Sequence, residues 1–202
     1  GSYSSPTLYD LDGDGIPECL LMTRQGHFFV LRGTDGNTLL HRTGGSSVTG
    51  SPTVTETPRG QTLLLIPAGS GGLFAMDWNT REILWRTTPG FYFSTTPLTA
   101  DLDGDKISEL IVTYGLLTKD KNRNLLNISS STLAVLDLLT GHTLWKVDLG
   151  DQRIEGDPVL ADLNGDQILD ILVADLKGQL TAIDGSVTPS ARRHAERKLR
   201  KR

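Results

Sequence analysis

The chain has 202 residues, 37% of them hydrophobic, with 22 glycines and 9 prolines, which is enough apolar material to bury a real core and enough turn formers for an all-β fold. Its formal net charge of −4 divides unevenly: SARRHAERKLRKR, from Ser190 onward, holds seven Lys or Arg and one acid, leaving 13 basic and 23 acidic residues in a body for which no nucleic-acid partner is expected. One cysteine, Cys19, rules out an intrachain disulfide and, inside an apolar run, reads as a small buried hydrophobe.

Pro6 opens the first unit, in which DLDGDGIPE (Asp10 to Glu18) runs directly into the apolar CLLMT. HFFVLRGTDGNTLLHRT (His27 to Thr43) then reads as strand, tight turn, strand, with Asp35, Gly36 and Asn37 at the turn. The second unit opens at Pro52; SPTVTETPRGQTLLLIPAG (Ser51 to Gly69) keeps the approach and the strand but has Glu56, Pro58 and Gly60 in a shorter turn. Its hairpin is LFAMDWNTREILWRT (Leu73 to Thr87), turning at Asn79 and Thr80. The third unit opens at Pro97 and repeats DLDGDKISE (Asp101 to Glu109), LIVTY and LAVLDLLTGHTLWKV (Leu133 to Val147), interrupted by the polar stretch Leu117 to Ser131. The fourth opens at Pro158 with DLNGDQILD (Asp162 to Asp170), ILVAD and LTAIDG (Leu180 to Gly185).

The prolines are spaced by 46, 45 and 61 residues, the excess being the insertion, which belongs on the surface. Four short strands in about 45 residues is the size of one β-propeller blade. The expectation is therefore an all-β propeller segment over 3–187, with blades near 5–45, 50–88, 95–148 and 156–186, forming part of a larger propeller with further blades in cis or trans. Residues 188–202 read as a basic tail, helix-prone or disordered, able to contact anionic surfaces. Trp85 and Trp145 hold equivalent places and are expected to wedge between blades, whereas Trp78 breaks the pattern at a turn and is the candidate for an exposed contact.

Carboxylate or amide oxygens recur at positions 1, 3, 5 and 9 of three segments, and this alternation lets a curled backbone aim successive oxygens at one hard cation. A single D-x-D-G-D also serves as a solvated Asx-rich turn. Three copies in equivalent context favour metal, because such clusters repel themselves without a cation. The second unit lacks the pattern and is expected to bind none. An EF-hand would continue into a helix, whereas these loops continue into strands.

Loops and strands together, from Ser5 to Gly185, resemble the FG-GAP repeat family, the calcium-loop propeller of integrin alpha subunits. In that family the loop joins the first two strands of a blade and holds calcium on one face of the disc. The resemblance implies three Ca2+ sites: Asp10, Asp12, Asp14, the Ile16 carbonyl and Glu18; Asp101, Asp103, Asp105, the Ile107 carbonyl and Glu109; and Asp162, Asn164, Asp166, the Ile168 carbonyl and Asp170. The isoleucine side chains are expected to anchor the loops on the core. Lys106 and Gln167 stand where the first loop has Gly15, so a left-handed backbone there would be strained. The second half-blades, LAVLDLLTGHTLWKV above all, are similar to quinoprotein-type propeller repeats.

The expected function is a non-enzymatic, calcium-stabilised module mediating protein–protein interaction or adhesion, in an extracellular protein or the lumenal or ectodomain part of a membrane protein. Asn127-Ile128-Ser129 is a glycosylation sequon consistent with that compartment. The alternatives are a propeller enzyme, either a quinoprotein-like dehydrogenase or a polysaccharide lyase, and an intracellular scaffold. His27, His41, His142 and His194 lack ligand or triad spacing, and Asp77, Asp137 and Asp184 recur once per blade as turn-stabilising residues.

Overall fold

The computed structural model describes residues 4–43, 50–87, 91–93, 95–119, 126–151, 153–154, 156–185 and 196–199, without the side chains of residues 91, 119, 126, 127 and 196–199. The chain forms four small antiparallel sheets, the four blades of a β-propeller. The first is β1 (Thr7–Tyr9), β2 (Glu18–Met22), β3 (His27–Leu31) and β4 (Thr38–Thr43), hydrogen-bonded in that order. The second repeats it with β5 (Thr53–Glu56), β6 (Thr62–Pro67), β7 (Leu73–Asp77) and β8 (Ile83–Arg86). In the third, β9 (Phe91–Tyr92) pairs with the far half of a sheet made of β10 (Leu98–Ala100), β11 (Glu109–Lys119), β12 (Leu126–Leu136) and β13 (Thr143–Gly150). The fourth is β14 (Val159–Ala161), β15 (Asp170–Ala174), β16 (Leu180–Ile183) and β17 (Glu196–Leu199).

Burial follows from how many faces of a sheet are covered. In the first blade, β2 buries Glu18, Leu20 and Met22 in alternation, so one face meets a neighbour. In the second, the continuous runs Leu63 to Pro67 and Leu73 to Asp77 are buried throughout, because both faces are covered. Leu20, Met22, Phe28 and Val30 pack on Leu64, Ile66, Phe74 and Met76. The opposite side of the second blade, with Leu63, Leu65, Ala75 and Trp85, packs on Leu110, Val112, Ala134 and Leu136 of the third. Ile111, Leu133 and Val135 in turn meet Ile171, Val173 and Ile183 of the fourth. Each buried Leu or Ile contributes about 1.5–3 kcal/mol, so these three seams are the core.

Threonine hydroxyls stitch the innermost strands together. Thr7 Oγ1 donates to the Pro52 carbonyl at 2.6 Å and Thr53 Oγ1 to the Pro97 carbonyl at 2.6 Å. Leu98 ends this series, and Thr96 takes over by donating from N and Oγ1 to Asp157 at 2.7 and 2.6 Å.

Three local expectations change. The Leu117 to Ser131 stretch is largely strand: β11 and β12 each run 11 residues and continue their pairing as far as Lys119 and Leu126, so the insertion lengthens a hairpin. In the described part of the basic tail, Glu196–Leu199 is neither helical nor unpaired; it pairs antiparallel with β16, whose free edge offers unpaired N–H and C=O groups to any extended segment. Trp78 is buried at 5% exposure, because its indole N–H reaches across a blade seam to the Leu11 carbonyl at 3.0 Å. Trp85 spans the next seam as expected, donating to the Leu138 carbonyl at 2.9 Å. Among the described residues, no helix is long and apolar enough to cross a membrane.

Replacing Trp78 or Trp85 by Phe leaves a buried carbonyl unpaired and a gap between blades. Each change is expected to lower stability by about 2–4 kcal/mol in urea denaturation, against under 1 kcal/mol if the indoles only cover surface.

Candidate metal-binding loops

The three acidic segments form the β1–β2, β10–β11 and β14–β15 connections, with Tyr9 opposite Glu18, Ala100 opposite Glu109 and Ala161 opposite Asp170. In each, the first aspartate holds two backbone amides, one on each oxygen. Asp10 accepts from Gly13 N at 2.7 Å and Gly15 N at 2.9 Å. Asp101 accepts from Gly104 N and Lys106 N at 2.7 and 2.8 Å, and Asp162 from Gly165 N and Gln167 N at 2.6 and 2.9 Å. These amides hold the Asp162 carboxyl below the ordinary carboxylate range.

The third and fifth residues make shorter Asx turns. Asp12, Asp103 and Asn164 accept from the amide two residues on, and so do Asp14, Asp105 and Asp166. This winding requires a left-handed backbone at the fourth and sixth positions. Gly13 and Gly15 have φ of 78° and 84°, and Lys106 and Gln167 adopt 69° and 71° at the position Gly15 holds. All three loops therefore share one backbone, and the side chains of Lys106 and Gln167 are accommodated at a cost of about 1–2 kcal/mol each.

The ninth residue ties loop to blade. Glu18, Glu109 and Asp170 are buried and accept from Leu11 N, Leu102 N and Leu163 N at 2.8, 2.7 and 3.0 Å. Asp170 also accepts from Gly185 N at 3.3 Å, and Glu18 takes a long 3.5 Å contact from Gly33 N. A Cβ at Gly33 or Gly185 would stand 2.3 Å from the Pro17 carbonyl oxygen or 2.0 Å from that of Leu169, so glycine is required for this approach. Burial pushes the Glu109 carboxyl above its ordinary value, opposed by the Leu102 amide and reinforced by Asp103, Asp105 and Asp101.

Carboxylate oxygens of Asp10, Asp12 and Glu18 lie within 4.8 Å of one another, as do those of Asp101, Asp103 and Glu109. Asp14 and Asp105 stand outside these triads, and the third loop has an amide, Asn164, in the middle place. Ile16 and Ile107 are exposed and Ile168 is half-buried, so these isoleucines are not core residues, although Ile16 Cγ2 lies beside Gly33, 2.9 Å from where a Cβ would stand. The β5–β6 connection has a different structure, with Thr57 N bonded to the Gln61 carbonyl and Gly60 N to that of Thr57. Nearby, Tyr9 OH donates to Glu56 Oε1 at 2.7 Å.

Outside the loops, Asp77 and Asp137 cap the tight turns between their blades' last two strands. Asp77 Oδ1 accepts from Asn79 N and Thr80 N at 2.7 and 3.0 Å, and Asp137 Oδ1 from Leu139 N and Thr140 N at 3.1 and 2.8 Å. The Gln61 side chain and then those amides hold the Asp77 carboxyl below its ordinary value. His27 Nδ1 and His41 Nε2 meet at 3.1 Å beside Phe29, a pairing across β3 and β4 that sequence spacing does not reveal. A cavity of about 380 Å³ between the second and third blades is lined by Arg86, Tyr114 and His142 among others. The side chain of Asn127 lies outside the described residues; its backbone pairs with Thr118.

The fold and its loops define a β-propeller protein with acidic connections on the first two strands of three blades. The C-terminal domain of PilY1 from Pseudomonas aeruginosa is similar over 84% of this chain and 38% of its own, at 24% identity and a TM-score of 0.58. Bap1, a biofilm matrix protein of V. cholerae, matches 91% of this chain and 27% of its own, at 15% identity and 0.60. Quinohemoprotein alcohol dehydrogenase from Comamonas testosteroni matches 85% and 32%, at 17% identity and 0.61. The chain spans well under half the length of each, and at these identities the likeness establishes the propeller fold. No protein-family model and no curated protein matches the sequence.

Two measurements check this account of the turns. Lys106→Gly and Gln167→Gly relieve left-handed strain and are expected to raise stability by about 1 kcal/mol each in denaturant unfolding; a loss would mean that those side chains hold the loops. Asp77→Asn is expected to lower stability at neutral pH by about 1–3 kcal/mol. Because the folded pKa is depressed, that contribution is present above the ordinary carboxyl value and lost as pH falls through the folded one, so the variant's stability should vary less over acid pH than the parent's.

Proposed function

We propose that this chain is a calcium-stabilised, non-enzymatic propeller module of the FG-GAP type, mediating protein–protein interaction or adhesion within an extracellular or membrane-anchored protein. The observation that carries the reading is the gathering of Asp10, Asp12 and Glu18, and again of Asp101, Asp103 and Glu109, on loops of identical winding. A donor set of hard carboxylate and carbonyl oxygens fits calcium, which takes six to eight oxygens in flexible geometry. Asp10, Asp12, Asp14, Glu18 and the Ile16 carbonyl would hold the first ion; Asp101, Asp103, Asp105, Glu109 and the Ile107 carbonyl the second; Asp162, Asn164, Asp166, Asp170 and the Ile168 carbonyl the third. The ion would supply charge compensation. The chain supplies the winding, through the paired amides on Asp10, Asp101 and Asp162, and the attachment to the blades, through Glu18, Glu109 and Asp170.

An interaction role is supported by the extended β11–β12 hairpin, which carries exposed Leu116 and Ser129 beyond the blade. It is also supported, at the level of fold analogy, by the likeness to a biofilm matrix protein. The carboxylates Asp77 and Asp137 are occupied as turn caps, which fits a structural use of acids outside the loops.

Thermal unfolding with calcium or with chelator tests the reading. Calcium at about 100 times its dissociation constant adds about 2.7 kcal/mol per site, which for a chain of this size raises the midpoint by roughly 5–10 °C. An unchanged midpoint would sink the calcium claim. Glu18→Gln and Glu109→Gln should each reduce the calcium-dependent rise.

A further inference from the structure

Two guanidiniums meet at the seam between the first two blades, and a third, that of Arg81, lies near Arg42. Arg42 on β4 and Arg86 on β8 stand at the mouth of a cavity of about 160 Å³ whose floor includes Met22, Phe28, Phe74 and Met76. All four floor residues are buried and both arginines are exposed. The Arg86 guanidinium lies 5.1 Å from the centre of the Phe74 ring. Neither arginine forms an ion pair with a described residue.

Arg81 adds an independent anomaly. It occupies the turn position held by Gly36 and Gly141 in the first and third blades: its amide bonds the Asp77 carbonyl as theirs bond Arg32 and Asp137. Its φ of 63° is a conformation that glycine adopts without strain. The guanidinium stacks 3.0 Å from the centre of the Trp78 ring, and its buried Nη1 has no hydrogen-bond partner among the described residues. Arg42 is close enough for the two cations to repel each other, while Asp77 offsets part of the charge. Arg81 does not line the cavity, so the demand for an anion there comes from Arg42 and Arg86, two exposed guanidiniums at its mouth without an ion pair among the described residues. The floor selects against a bare inorganic ion, since it gains only from an apolar body, and the volume limits that body to a short chain or a single ring.

We propose that this seam binds a small carboxylate with an apolar body, of the size of hexanoate, its chain on Met22 and Met76 and its carboxylate between Arg42 and Arg86. The site is distinct from the acidic loops and its test does not depend on them. Met22 and Met76 are the only methionines in the chain, so methyl-labelled methionine NMR reads both walls of the cavity directly. Titration of the calcium-loaded or calcium-free chain with hexanoate is expected to move both methyl resonances saturably. Hexan-1-ol should bind at least tenfold more weakly, and R42Q together with R86Q should weaken hexanoate at least tenfold while leaving the free methyl positions unchanged. If the double variant fails to fold, each single variant is expected to lose severalfold affinity. Unmoved methyl resonances, equal response to acid and alcohol, or undiminished binding by the folded variants would overturn the proposal.

Discussion

The acidic face of this propeller depends on one aspartate per loop that holds two backbone amides at once. Asp10, Asp101 and Asp162 each span three and five residues forward, and that pair of bonds curls the segment tightly enough to bring later oxygens back beside the first. The left-handed residues are a consequence of this winding. Glycine meets the requirement at the fourth position of every loop, while at the sixth Lys106 and Gln167 adopt the same conformation as Gly15. A charge-assisted bond from amide to carboxylate, worth about 1.5–3 kcal/mol, exceeds the strain of about 1–2 kcal/mol that such a side chain adds.

The loops are also joined to the blade seams. The Leu11 peptide donates its N–H to Glu18 and accepts the Trp78 indole through its carbonyl, so the first loop and the second blade share one peptide unit. The ninth residue, where it reaches the glycine after the third strand, connects loop, second strand and third strand at a point with no room for a Cβ. A cation that fixed the loop would thereby stiffen the seam behind it.

The repeat, its four blades, the connections bearing the acids and the turn-capping use of Asp77 and Asp137 are all legible in the sequence, because each depends on contacts within about ten residues. Features set between blades are not legible. Trp78 looks exposed by its turn position and is buried because Leu11, 67 residues away, offers a carbonyl. Ile16 and Ile107 look like core anchors by hydrophobicity and are both exposed. The polar composition of Leu117 to Ser131 hides a hairpin extension that shows only in its pairing. The arginine pair is invisible for the same reason: Arg42 and Arg86 line one cavity from two sheets.

Equilibrium dialysis of the chain against labelled calcium counts the ions that the paired-amide loops hold. Two ions are expected to bind first, at the loops of Asp10 and Asp101, with a third entering more weakly at the loop that has Asn164 in its middle place. Less than one ion bound per chain at millimolar calcium would contradict that expectation, and would reduce the three loops to self-satisfied turns.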